Sequence, residues 1–104
     1  MRRIESADVT AGANAEVLGL TLQPEPGKKI TLRKVSCEVT AAVRLVVYLN
    51  TTKIADIPGE IDYLVERPVE LDVVANQGDR IKIGLKDDTG SGVTKYVMAE
   101  YDQD

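Results

Sequence analysis

The stretch Val69–Lys86, VELDVVANQGDRIKIGLK, decides the fold class. Val69, Leu71 and Val73 alternate with Glu70 and Asp72. Beyond Asn76-Gln77-Gly78-Asp79, Ile81, Ile83 and Leu85 alternate with Arg80, Lys82 and Lys86. A two-residue period places one set of side chains on one face of an extended chain, so each run predicts a strand buried on one side. Gly and Asp at the break supply a turn. Together they predict a strand, a turn and a second strand. Gly84 falls on the outward parity, where a missing side chain lets another backbone come close.

The same period continues outward from this stretch. In residues 43–50, VRLVVYLN, one face holds Val43, Leu45, Val47 and Leu49, and the other holds Arg44, Val46, Tyr48 and Asn50. A turn at Asn50-Thr51-Thr52 and a short strand over Lys53–Ile57 complete a predicted hairpin, stopped by Pro58-Gly59. Residues 28–40, KKITLRKVSCEVT, change parity: Ile30 and Leu32 face one way, Val35, Cys37 and Val39 the other. That slip at Arg33-Lys34 predicts a β-bulge or a strand that changes sheets. In residues 16–22, EVLGLTL, the leucines 18, 20 and 22 share a parity, and Pro24-Glu25-Pro26-Gly27 ends the run. Residues 93–101, VTKYVMAEY, carry apolar groups on both parities, which predicts contacts on both sides.

Two segments read differently. EIDYLVER, residues 60–67, lies between Pro58 and Pro68 and reads as a loop with one extended or single-turn piece. Residues 1–14 read as a polar lead-in or mobile arm, with room for a short strand around Ile4 and Val9. Residues 15–104 then form one domain. Seven or eight strands spaced by about ten residues predict an all-β antiparallel sandwich, best matched by a jelly roll. An immunoglobulin-like sandwich is the alternative, but its Cys…Trp…Cys spacing is absent.

Composition supports strands and narrows the chemistry. Val, Ile and Thr contribute 13, 7 and 8 of the 104 residues, and β-branched side chains fit a pleated surface. The aromatic residues are four tyrosines, so the core is aliphatic. There is no His, and Cys37 stands alone. This excludes His-based acid–base chemistry, the Ser-His triad, His-ligated metals and any intrachain disulfide. The expectation is a binding or assembly protein and not an enzyme, with no cofactor. Net charge is −4, and no basic run exceeds two residues, which argues against nucleic acid. No run approaches a membrane span. Arg2-Arg3 is followed at once by Glu5 and Asp8, so cytoplasmic synthesis without a signal peptide is expected. Residues 1–52 hold seven basic and five acidic side chains, whereas residues 53–104 hold six and twelve. This asymmetry suggests a solvated surface or charge-complementary packing between copies.

Few side chains are candidates for a site. Asp87 and Asp88 precede Thr89-Gly90-Ser91-Gly92, and an oxygen-rich turn can hold Ca²⁺, although the EF-hand spacing is missing. The competing reading is an Asp/Gly turn locked by side-chain hydrogen bonds. Asp88-Thr89-Gly90 matches the aspartic-protease tripeptide but lacks the hydrophobic strands that enclose it there. Glu60, Asp62, Glu66, Glu70 and Asp72 offer acids without singling out a pair. Cys37, between Val35 and Val39, reads as a small core residue. Tyr48, Tyr63, Tyr96 and Tyr101 are candidates for an interface or for stacking on a sugar.

The order of features over residues 28–102 resembles the small jelly-roll domains of viral and phage virion proteins. It rests on Gly27–Leu32 entering a strand, Val43–Leu49 as a central strand, and Val69–Val73 leading through Gly78-Asp79 to Arg80–Ile83. The resemblance implies a capsid, decoration or fibre component, a homo-oligomer that contacts other virion proteins and ends in the virion. A carbohydrate-binding module or adhesin with a glycan ligand is the alternative.

Overall fold

A computed structural model of the chain describes residues 1–37, 43–58 and 69–104. Eight strands run through them: β1 (Arg2–Ala11), β2 (Glu16–Leu22), β3 (Ile30–Cys37), β4 (Val43–Leu49), β5 (Thr52–Pro58), β6 (Val69–Ala75), β7 (Ile81–Asp87) and β8 (Val93–Gln103). They form two four-stranded sheets, β1-β8-β3-β6 and β2-β7-β4-β5, with every pair antiparallel. This is the jelly roll expected from the strand count. The segment 60–67, with Tyr63 and the acids Glu60, Asp62 and Glu66, lies outside the described residues, as do residues 38–40.

The order of the strands differs from a chain of hairpins. β4 and β5 pair as expected, with Leu49 opposite Thr52 and Asn50 in a left-handed conformation at φ 57°. β6 and β7 do not pair. The Asn76–Asp79 turn carries the chain from one sheet to the other, and the partners of β7 are β2 and β4. An alternating pattern specifies which side of a strand is buried and leaves its neighbours open.

Other expectations are corrected or sharpened by register. Residues 2–11 form a ten-residue edge strand paired with β8 along its whole length, where a lead-in or arm with a short strand was expected. β3 has its register shift between Leu32 and Lys34 in both of its ladders, so the parity slip at Arg33 is a bulge. β2 is bulged at Gly19, between Leu18 and Leu20. This turns Leu18 outward while Leu20 and Leu22 stay buried. β8 is cleaner than its sequence suggested: Val97, Ala99, Tyr101 and Gln103 point inward, and Tyr96 and Met98 lie on the opposite parity.

The core lies between the sheets. Leu22, Ile30, Leu32, Val35, Val47, Ile81, Ile83, Leu85 and Val97 are essentially inaccessible. Tyr101 brings an aromatic ring into this otherwise aliphatic layer, and Cys37 packs in it as expected. Burial at roughly 25 cal/mol per Å² of apolar surface is what holds the sheets together.

Candidate functional site

The four tyrosine candidates do not meet at one place. Tyr101 is 3% exposed and sits in the core, with its hydroxyl donating to Glu5 at 3.1 Å. Burial, followed by that bond, pushes its pKa up. Tyr48 lies on the outer face of β4, and its hydroxyl donates to Glu16 at 2.7 Å. Tyr96 lies on the outer face of β8, 39% exposed, with its hydroxyl donating to Ser6 at 2.6 Å. A tyrosine stacking platform is therefore not assembled from Tyr48, Tyr96 and Tyr101.

Asp87 closes one end of the sandwich. It is fully buried. Its Oδ1 accepts from the Thr89 hydroxyl at 2.5 Å and the Thr89 N–H at 2.9 Å. Its Oδ2 accepts from the N–H groups of Gly92 and Asn14, at 2.9 and 3.1 Å. The Thr89 hydroxyl leads in holding the carboxyl far below the usual carboxylate range. The three N–H groups add to this, against a desolvation cost of opposite sign. The carboxylate thus ties the β7–β8 loop to the β1–β2 turn. Four N–H and O–H dipoles aim positive ends at it, which is the wrong polarity for a cation site. Asp88 turns outward and pairs with Arg44 Nε at 2.7 Å and Lys86 Nζ at 3.0 Å. Among the described residues no three His, Cys, Asp or Glu gather as metal ligands. The turn reading describes Asp87 and Asp88; Ca²⁺ would have to displace all of these partners.

The outer face of β2-β7-β4-β5 is closed by polar contacts. Glu16 stands opposite Lys86, and Tyr48 opposite Lys82. The Tyr48–Glu16 bond therefore spans β7 diagonally, at the level of Gly84. A β-carbon added at Gly84 would strike the Val17 carbonyl oxygen and come within 2.7 Å of the Leu18 α-carbon. The close approach expected there is real. Val46, next to Gly84 on this outer face, has no exposed surface. Lys53 Nζ pairs with Glu16 at 2.9 Å and lies 5.6 Å from the centre of the Tyr48 ring. Arg44 bridges Asp56 and Asp88, at 3.2 and 2.7 Å. The Tyr48 hydroxyl, then Lys53, lowers the Glu16 pKa, and the Glu16 bond raises that of Tyr48.

The outer face of β1-β8-β3-β6 is different. At one end Arg2 pairs with Asp102 and Glu100, and Arg33 pairs with Asp102 and Asp72, so charges alternate across all four strands. Arg2, then Arg33, lowers the Asp102 pKa. Beyond this ladder the surface is mixed, with Ile4 and Met98 beside Lys34 Nζ, which lies 4.0 Å from Glu100 Oε2. Ile4, Lys34, Ser36, Met98 and Glu100 line a shallow cavity of about 190 Å³. Ile4 is 59% exposed. Sequence reading missed this cavity because its residues come from β1, β3 and β8. The available signal was Tyr96 and Met98 on the parity shared with Thr94 and Glu100.

No family model matches the sequence, and a search of curated proteins finds no match. Among solved structures, the nucleoplasmin-like N-terminal domain of Drosophila FKBP39 is similar. It has a TM-score of 0.48 and 16% identical residues, over 97% of this chain and 90% of that one.

Proposed function

We propose that this protein is a structural assembly component of the virion type, a capsid, decoration or fibre element that works by self-association and contacts with other proteins. The observation that carries the reading is the apolar part of the β1-β8-β3-β6 outer face. Ile4 is 59% exposed and lines the cavity with Met98, whereas the middle of the other outer face is crossed by the Tyr48–Glu16 bond and by its own ion pairs. Water-exposed aliphatic and aromatic groups grouped on one sheet face gain free energy when a partner covers them. Eight-stranded jelly rolls recur in virion coats, and fold alone does not assign the role. The glycan alternative relied on several tyrosines, of which Tyr101 is in the core and Tyr48 is bonded to Glu16.

Light scattering over a wide concentration range tests the reading. A mass of at least twice the 11.3 kDa of one chain is expected. A strict monomer at high concentration, with no binding to any particle, overturns it.

A further inference from the structure

Resting on the assembly reading, we propose that the free edge of β1 is a two-fold junction, at which two copies join their β1-β8-β3-β6 sheets antiparallel with Ile4 on the axis. Three observations lead there. First, the edge is open: no described strand pairs with the far side of β1. Second, its backbone groups point that way. Met1 and Gln103 exchange both of their backbone bonds, at 2.9 Å each, and the β1–β8 register runs without a shift to Ala11. Bonded and non-bonded pairs alternate in an antiparallel ladder. Odd residues of β1 therefore bond to β8, and Arg2, Ile4 and Ser6 turn their N–H and C=O to the edge. Third, the first half of β1 is exposed, and Ile4 is its one large aliphatic residue.

The side chains select the register. A two-fold axis perpendicular to the sheet keeps each face intact, so opposite residues share parity. Centred on Ile4, Arg3, which pairs with Glu25 of its own chain at 3.2 Å, comes opposite the partner's Glu5, and Glu5, which accepts from its own Tyr101, comes opposite the partner's Arg3, while Arg2 lies opposite the partner's Ser6. Both exposed isoleucines then meet on the outer face, next to the cavity of their own subunits. Centred on Glu5, two carboxylates would face each other. Centred on Ser6, Ile4 would face the partner's Asp8. Opposite charges across a strand pair stabilise it and like charges oppose it. Charged residues usually protect an edge strand from pairing; here the same charges admit one register.

The test uses the intact chain. Arg3→Glu sets carboxylate against carboxylate twice per dimer, and Glu5→Arg sets two cations together twice. Each is expected to weaken self-association about tenfold or more. An equimolar mixture of the two variants restores it, because every contact across the junction is again between opposite charges. Ile4→Cys should cross-link to itself under mild oxidation, since opposite bonded residues lie about 5.5 Å apart at Cα and disulfides span about 4.4–6.8 Å. Ser6→Cys, about 13 Å from its copy in this register, should not. If the wild-type chain never self-associates, the assembly reading itself fails. If it associates but neither charge variant weakens it and Ile4→Cys does not cross-link, assembly stands and this junction is wrong.

Discussion

The two outer faces of the sandwich are built on the same ladder geometry and end in opposite states. On β2-β7-β4-β5, Gly84 leaves the middle of the sheet low, the Tyr48–Glu16 bond crosses above it, and Val46 beside it is buried. On β1-β8-β3-β6, the ion pairs reach as far as Lys34 and Glu100, which line a cavity together with Ile4, Ser36 and Met98. One face is crossed by its own polar contacts, with Leu18 and Ile54 each 38% exposed on β2 and β5; among the described residues the other leaves Ile4 59% exposed beside its cavity. An outer face is therefore characterised by which groups its neighbours leave unmet, more than by its count of charges.

The contrast can be broken most severely at Gly84. Gly84→Ala should cost about 3 kcal/mol, because the added carbon meets the Val17 backbone, which has no rotamer by which to yield. Urea unfolding would show it as a lower midpoint. The next effect separates the faces directly. Val46→Ala should lose about 2 kcal/mol although its position is nominally on the outside. Ile4→Ser should change stability by no more than about 0.5 kcal/mol and weaken self-association.

Acid probes the end of the sandwich where the closed face is anchored. The Asp87 carboxyl titrates far lower in the folded chain than in the unfolded one, where about 3.9 is ordinary. Its contribution is therefore fully present above pH 4 and is lost as pH falls further below that value. Asp87→Asn should lower the Tm at pH 7 and flatten the acid limb of the stability curve. An unchanged acid limb would refute this role. The smallest effect concerns the bridge itself. Tyr48→Phe, or molar salt acting on the Lys53–Glu16 and Arg44–Asp88 pairs, should shift the Tm by no more than about 2 °C, since exposed pairs are screened. A large shift would mean that these contacts, and not Gly84 and Val46, hold the closed face.

The candidate site was less legible than the fold. Tyr96 and Met98 could be seen on the polar parity of residues 93–101, but nothing local connected them to Ile4, 94 residues from Met98 in sequence. Asp87 and Asp88 look alike in the chain. One is buried under four donors and the other pairs with Arg44 and Lys86, because successive residues of an extended chain face opposite sides and Asp88 directly follows the end of β7.

By itself the sequence determined where β2 to β8 run, which side of β4, β6 and β7 is buried, a bulge or change of sheet at Arg33, and the close approach at Gly84. All of these follow from local period and side-chain shape. The tertiary structure alone decided which strands are neighbours. In this topology β1 and β3 border β8, and β4 borders β7, so the basic first half of the chain lies against the acidic second half. Arg2 with Asp102, Arg33 with Asp72 and Arg44 with Asp88 pair basic groups of the first half with acidic groups of the second within one molecule. Alternation carries no information about partners distant in sequence. Those are chosen when both sheets bury their apolar faces at once, and among the described residues that choice left the far edge of β1 without a paired strand and Ile4 exposed.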